Sequence, residues 1–151
     1  MATVRELILQ DINSKLKSES WVGDVYRGMI NFDDAVSGKY NYPLICFYQG
    51  DEIVIEGAYK EIKNELTIVF EIFDKTSEDN SYVDVRANTL IGYFVDFIYN
   101  NARWSGNALN TTVKKNVIGY KEGSEKFFVI VFEVVVEYSY VRGQSDVKYG
   151  G

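Results

Sequence analysis

The chain has 151 residues and a formal net charge of −6, with 46% hydrophobic and 15% aromatic residues. A chain of this length is ordinarily one domain that buries roughly 68–70% of the surface exposed in its unfolded state. The acidic balance disfavours a nucleic-acid-binding surface, because such surfaces gather Lys and Arg into a patch. A single cysteine excludes an internal disulfide, and no segment has the long apolar run of a membrane span. We therefore expect a protein that is made in the cytoplasm and lies outside the membrane.

The N-terminal residues predict a helix. Thr3 and Glu6 have the spacing of a capping box, in which both side chains accept hydrogen bonds from free backbone N–H groups at a helix start. Apolar residues then recur at helical spacing as far as Leu16, with polar positions between them. This pattern predicts an amphipathic helix that ends near Ser18.

Extended segments and one long loop are predicted next. Residues 21–30 are interpreted as a first strand or extended segment that two glycines interrupt. Residues 44–49 and 53–55 are short apolar runs on either side of a Gly-Asp pair, which indicates two strands that could form a hairpin. Residues 31–43 contain the only proline and many turn-forming residues, which is typical of a long loop.

Two segments alternate as strands do when they bury one face. Residues 65–73 place apolar side chains on one register, and residues 125–140 do the same over a longer run. At about 3.3 Å per residue the second segment spans roughly 50 Å, far beyond an average strand. Its other register is apolar at the start and polar towards the end, so we expect a neighbouring chain to cover it partly. The apolar residues of that mixed register are Phe127, Val129, Val131 and Val135.

A second helix is predicted between these two strands. Ser81 and Asp84 supply a helix start, and a wide apolar stripe runs from Val83 to Ile98, as in helices that lie across a sheet. Gly92 interrupts this helix, and we interpret it as a point of close packing on the sheet.

The C-terminal third predicts an antiparallel strand pair and a tail. Residues 110–118 are interpreted as a strand that turns through residues 119–124 into the long final strand. Residues 142–151 lose periodicity and gain glycine and polar residues, which predicts a flexible tail after a single domain over residues 1–141. The order of elements indicates an α+β fold, with a mixed, mainly antiparallel sheet and two helices packed on one face.

The residue types needed for common catalytic sites are missing or isolated. The chain has no histidine, which removes the usual general base, zinc ligand and partner of a nucleophilic Ser or Cys. Cys46 lies in an apolar run and is interpreted as a buried structural thiol, and no phosphate-binding glycine motif occurs. We expect no catalytic residue, metal or cofactor, and we interpret the loop acids as solvated charge: Asp33 with Asp34, Glu78 with Asp79, and Glu122 with Glu125.

The layout resembles the tail terminator (tail completion) proteins of tailed bacteriophages over nearly the whole chain. The segments that carry the resemblance are the opening helix, VYRG at residues 25–28, YPLI at residues 42–45, the strand at residues 66–72, the helix at residues 83–99, and a closing hairpin that ends in VVVEY at residues 134–138. Members of that family are small α+β subunits that form a hexameric ring on the finished tail tube. The resemblance therefore implies a structural virion protein and not an enzyme.

The resemblance also implies a mechanism without chemistry. The ring caps the growing tube, stops further subunit addition and offers a surface to the head-side connector. Expected partners are further copies of this chain, the tail tube protein and head-side connector or neck proteins, with a sheath protein as a further candidate. DNA would pass through the lumen without specific binding, which an acidic lumen suits because negative charge disfavours adhesion. The expected location is the virion tail or neck, after assembly in the host cytoplasm.

Two groups of residues are candidates for these contacts. We predict that Phe127, Val129, Val131 and Val135 lie at or near a subunit contact, whereas the opposite register packs under the helices. The loop over residues 31–43 is predicted to contact the tube or connector because of its length and composition, and its removal is expected to leave the fold intact. Its candidate contact residues are Asn31, Asp33, Asp34, Lys39 and Tyr40.

Three other functions remain open at this point. Another head-to-tail joining protein, an adaptor or stopper, belongs to the same structural class and differs in binding portal-side proteins instead of the tube. A metal-dependent carboxylate hydrolase would require two or more loop acids to converge in a concave pocket. A monomeric binding module is the third alternative.

Overall fold

The structure is a computed structural model that describes residues 2–76, 83–120 and 127–150. Three helices and six strands follow one another in these ranges: α1 (Val4–Ser18), β1 (Val25–Arg27), α2 (Phe32–Ala35), β2 (Leu44–Glu56), β3 (Glu61–Lys75), α3 (Val83–Asn100), β4 (Asn110–Tyr120), β5 (Phe127–Val141) and β6 (Gln144–Lys148). None of the described helices is long and apolar enough to cross a membrane. The predicted helix start at Ser81, the part of the predicted turn that covers residues 121–124, and Glu78, Asp79, Glu122 and Glu125 lie outside the described residues. The first two residues of that turn, 119 and 120, belong to β4 instead.

All six described strands belong to one sheet. The strand order is β1-β2-β3-β5-β4, and β6 pairs with the end of β5 on the same side as β4. β1 and β2 are parallel, whereas the other described neighbours are antiparallel. Helices α1 and α3 both contribute to the core on one face of this sheet. The predicted α+β class, with a mixed, mainly antiparallel sheet and two helices on one face, is confirmed.

The face of the sheet under α1 and α3 carries the main core. Phe94 of α3 lies near its centre, with its ring centroid 4.2 Å from that of Phe132 and 4.9 Å from that of Phe70. Full burial of one such side chain contributes about 1.5–3 kcal/mol to folding. The buried register of β5 consists of Phe128, Ile130, Phe132, Val134, Val136 and Tyr138. The prediction that this register packs under the two helices is therefore confirmed.

Helix α1 begins and ends where the sequence predicts. The Thr3 hydroxyl accepts a hydrogen bond from the Glu6 N–H at 3.1 Å, and Ser18 is the last helical residue. The Glu6 carboxylate differs from a capping-box glutamate because it accepts two hydrogen bonds from the Arg27 guanidinium. These hydrogen bonds lower the pKa of Glu6. The pair ties α1 to β1, a strand of only three residues within the predicted extended segment.

The predicted bounds of β2 and β3 need correction. β2 is one continuous strand and not a hairpin, because both of its halves pair with β3 across an irregularity between Gln49 and Glu52. β3 begins at Glu61, several residues earlier than predicted. Lys63 and Asn64 interrupt the apolar alternation there, although both pair with β2 and β5 through the backbone.

The prediction of a flexible tail over residues 142–151 is wrong for Gln144–Lys148. The chain turns after β5 at Gly143, where φ is 82°, and β6 returns antiparallel to β5. Glycine adopts this left-handed conformation without the steric cost of a Cβ atom. The loss of apolar periodicity was misleading, because backbone hydrogen bonds can hold a short edge strand whose side chains are mostly exposed.

The interpretation of Gly92 as a close-packing residue is also wrong. Gly92 lies in α3 but is exposed, and a Cβ atom there would meet no neighbouring atom within 4 Å in the described structure. By contrast, a Cβ atom at Gly23 would clash with the carbonyl oxygen of Asn41. The two glycines therefore differ in whether the structure requires them.

We predict that Gly92→Ala raises the free energy of unfolding by about 0.5–1 kcal/mol, because alanine restricts the unfolded chain and favours a helix. Urea unfolding followed by circular dichroism measures this change. Gly23→Ala is the matched control and should destabilise the protein. A loss of stability in Gly92→Ala would contradict the assignment of this position to an open helix surface.

Candidate interaction surfaces

The sheet face opposite α1 and α3 is called the open face. Cross-strand partners share a face of the sheet, so the register places Val131 beside Glu71, Val135 beside Thr67, and Glu133 beside Val69. These side chains are half-buried. All four predicted contact residues of β5 lie on this face, in the register opposite to that of the main core.

A segment of the chain folds over one end of the open face, and we call residues 30–43 the covering segment. Four buried residues form a second core there: Ala35, Leu44, Cys46 and Phe73. Half-buried side chains of the covering segment pack against this core. The Tyr42 ring lies 5.5 Å from the Phe127 ring, and Lys75 Nζ lies 5.5 Å and 5.8 Å from the centroids of these two rings.

The expectation that removal of residues 31–43 leaves the fold intact does not follow from this arrangement. Without the covering segment, the buried side chains of Leu44, Cys46 and Phe73 would face solvent. The loss would resemble a large core truncation, for which typical costs are about 2–5 kcal/mol. The segment therefore has a structural role, and it contains the short helix α2 that the sequence did not predict.

The covering segment divides the predicted contact residues into two groups. The Phe127 ring contacts Tyr42 of the covering segment, and Val129 packs against the second core beneath it. Val131 and Val135 lie farther along the open face, and Val131 is directly opposite Val117 of the outer strand β4. Val131 and Val135 thus remain the two candidates for contact with another chain.

The candidate contact residues of the covering segment are mostly exposed, but several have local partners. The Asn31 side chain accepts a hydrogen bond from the Asp34 N–H at 2.8 Å and donates one to the Asp34 carboxylate at 3.0 Å. Lys39 Nζ lies 5.5 Å from the centroid of the half-buried Tyr40 ring. Asp33 is exposed on α2. These residues form a polar surface and not a concave acidic site.

Both outer edges of the sheet have backbone N–H and C=O groups that do not pair with another described strand. β1 pairs with residues 45–47 of β2, so residues 48–56 pair with β3 alone among the described strands. At the opposite side of the sheet, β5 is the one described strand that pairs with β4. We call the outer sides of residues 48–56 and of residues 110–120 the β2 edge and the β4 edge. The sequence reasoning missed the β2 edge, although the β-branched run at residues 53–55 is a signal for it.

Large exposed apolar side chains gather along these two sides of the sheet. On the side of β2 they are Tyr26, Met29, Ile53, Val54 and Tyr59. On the side of β4 they are Leu109, Val117, Tyr120, Val147 and Tyr149. Other exposed apolar residues, such as Val85, Tyr93 and Tyr99, lie on α3. Such a concentration at two edges is typical of surfaces that contact other proteins.

A polar network holds the free half of β2 in place. Glu52 Oε2 lies 2.6 Å from the Arg5 guanidinium and accepts a hydrogen bond from the Tyr138 hydroxyl at 2.9 Å. Arg5 also donates to the Tyr138 hydroxyl at 3.2 Å. Burial, together with the bond to Glu52, raises the pKa of Tyr138 to about 12. The network joins α1, β2 and β5, so the β2 edge has a fixed position in the protomer.

A surface cleft lies beside the start of β4 and the end of β6. This cleft of about 450 Å³ is lined by residues that include Arg103, Leu109, Lys148 and Tyr149, and none of its lining residues is acidic. Within the described ranges, no group of three His, Cys, Asp or Glu residues could hold a metal ion. Cys46 is buried, and burial is the main cause that raises the pKa of its thiol to about 12.

The chain matches no protein-family model and no curated protein. The surfaces of the chain that could contact a partner are the open face, the two edges and the covering segment.

Cys46 provides a direct test of the covering segment. The Tyr42 hydroxyl donates a hydrogen bond to the Ala35 carbonyl at 2.6 Å and accepts one from the Gly38 N–H at 3.1 Å. Tyr42→Phe removes both bonds, each with a net contribution of about 0.5–1.5 kcal/mol. Together the two bonds contribute about 1–3 kcal/mol, so we expect opening of the segment to become roughly 5–160-fold more frequent, and the Cys46 thiol to react faster with a thiol reagent by the same factor.

The control is Tyr59→Phe, because Tyr59 is 87% exposed and its change should leave the reaction rate unaltered. The free energy of unfolding is measured in parallel, so that global unfolding is distinguished from local opening. An unchanged rate in Tyr42→Phe would mean that the covering segment does not control access to Cys46.

Proposed function

We propose that this chain is a structural virion protein, a tail terminator that forms a ring on the tail tube of a bacteriophage. The ring ends tube polymerisation and provides the surface to which the head-side connector binds. The family resemblance suggests six copies in the ring. The chain acts by shape and contact, and the proposal assigns it no catalytic residue, metal or cofactor.

One structural observation carries the proposal: the sheet has two different open edges on opposite sides. A protomer with two different contact surfaces binds one neighbour at each of them. Such head-to-tail contacts close into a ring when the rotation between neighbours fits, whereas a self-complementary surface would give a two-fold dimer. The exposed apolar side chains at both edges support this kind of assembly.

The open face next to β4 is the proposed subunit contact. Val131 and Val135 lie there on β5, and Val117, which lies opposite Val131, is 58% exposed. The exposed polar residues of the covering segment are the proposed contact with the tube or the connector. The net charge of −6 supports the passage of DNA through the ring without adhesion.

The first test is the absolute mass of the purified protein by light scattering, alone and after addition of purified tail tube. Six protomers of 17.3 kDa have a mass of about 104 kDa, and we expect tubes assembled with the protein to stop at a defined length. A protein that stays monomeric with and without the tube, and leaves tube length unchanged, would contradict the proposal. Binding to portal-side proteins instead of the tube would favour the adaptor or stopper alternative.

Val131→Glu tests the proposed subunit contact. The substitution places a charge on the half-buried open face beside Val117, so we expect the ring to dissociate at protein concentrations at which the original chain stays assembled. Val117→Glu at the more exposed neighbour should have the same effect with less effect on folding. Val85→Glu on α3 is the matched control, because Val85 is 63% exposed and lies away from the sheet. A ring that survives both changes would rule out this contact.

A further inference from the structure

The β2 edge and the β4 edge are comparable in length and regularity. β2 has an irregularity between Gln49 and Glu52, and β4 has one between Val113 and Lys115. Beyond these points each edge has a regular segment, residues 52–56 in β2 and residues 115–120 in β4. Each segment therefore offers about 17–20 Å of strand to a partner, and an open strand edge is a template for another strand.

The apolar side chains of the two edges lie on matching faces. Ile53 is paired with Glu65, and Val117 with Val131, so both are on the open face. Val54 and Tyr120 are on the other face, the one that carries the main core. Their exposed fractions are 62% for Ile53, 66% for Val54, 58% for Val117 and 56% for Tyr120. A sheet that continued from one edge into the other would cover apolar side chains on both faces.

The charges of the two edges are opposite in sign. Residues 51–56 (DEIVIE) contain three acids, of which Glu52 is already paired with Arg5 of α1, whereas residues 110–120 contain Lys114 and Lys115 and no acid. Lys114 is exposed, and Lys115 is 63% exposed even though its Nζ lies 3.5 Å from Glu133. Pairing an edge with its own copy would bring like charges together, while pairing the β2 edge with the β4 edge brings opposite charges together. Charge therefore favours the head-to-tail arrangement.

From these three observations we infer that the β2 edge of one copy pairs with the β4 edge of the next, so that one sheet continues around the proposed ring. This inference rests on the ring of the proposed function and identifies the strands that close it. β2 and β4 run in opposite directions within the protomer. Within the protomer Ile53 is level with Asn110 across β3 and β5, seven residues from Val117, so this joint requires strands that are tilted to the ring axis, as they are in closed barrels. Rotation about such an axis keeps the new joint antiparallel like its neighbours.

Disulfide trapping of the assembled protein tests the inference. In a Cys46→Ala background, the double variant Ile53→Cys and Val117→Cys carries one cysteine on each edge. Within a protomer these positions are separated by β3 and β5, about 14 Å across the sheet, which is too far for a disulfide. We expect a ladder of covalent multimers on a denaturing gel under oxidising conditions, with the last rung at the number of subunits in the ring.

Strand pairing also predicts an alternation along β4. Ile53→Cys should form disulfides with cysteines at the open-face positions 115 or 117, and at least tenfold less with cysteines at positions 116 or 118 on the other face. Each single variant has one thiol and can form no more than a dimer.

The outcomes separate the inference from the proposed function. If light scattering gives the mass of a ring but the gel shows no ladder, or a ladder that does not alternate along β4, the strand pairing is overturned and the ring remains. A dimer from Val117→Cys alone, with no ladder from the double variant, would mean that two β4 edges pair and would also overturn it. Failure to form a ring with or without the tube would overturn both.

Discussion

The buried register of β5 is the constraint on which the rest of the structure depends. β5 pairs with β3 along its whole length and with β4 and β6 on its other side. Because side chains alternate along a strand, burial of Phe132 and its neighbours under α1 and α3 determines which residues reach the open face. A shift of one residue would expose Phe128, Ile130 and Phe132 and bury Glu133. The position of Val131 beside β4 is therefore a direct consequence of the core.

Elements with strict apolar periodicity could be predicted from the sequence, and elements without it could not. β5 and α3 bury one side, so their sequences record the alternation of a strand and the stripe of a helix. The first residues of β3 show no such alternation, because Asn64 is polar although it is fully buried. The amide of Asn64 has no hydrogen-bond partner among the described residues. Burying such a group without a partner costs about 1–3 kcal/mol, and no local pattern indicates it.

The candidate surfaces were predictable in part for the same reason. The mixed register of β5 identified Val131 and Val135 as residues outside the core, which the structure confirms. The composition of residues 31–43 indicated a loop but not its position, because the contact of Tyr42 with Phe127 joins residues that are distant in sequence. The β2 edge was missed because an irregularity at Gly50 and Asp51 makes one strand look like two.

The two edges connect stability with the proposed assembly. An open edge with exposed β-branched residues exposes a protein to uncontrolled association, and proteins commonly limit this with lysines and irregular strands. Lys114 and the irregularities are such features, yet Ile53 and Val54 remain exposed on a strand that Arg5, Glu52 and Tyr138 hold in place. The β2 edge is rigid, apolar and flanked by acids, so a suitable partner is an edge that carries lysines. The β4 edge, on the other side of the same chain, is such an edge. In the proposed ring the β2 edge of each protomer therefore pairs with the β4 edge of its neighbour. Closure of the ring leaves no β2 or β4 edge open to further copies.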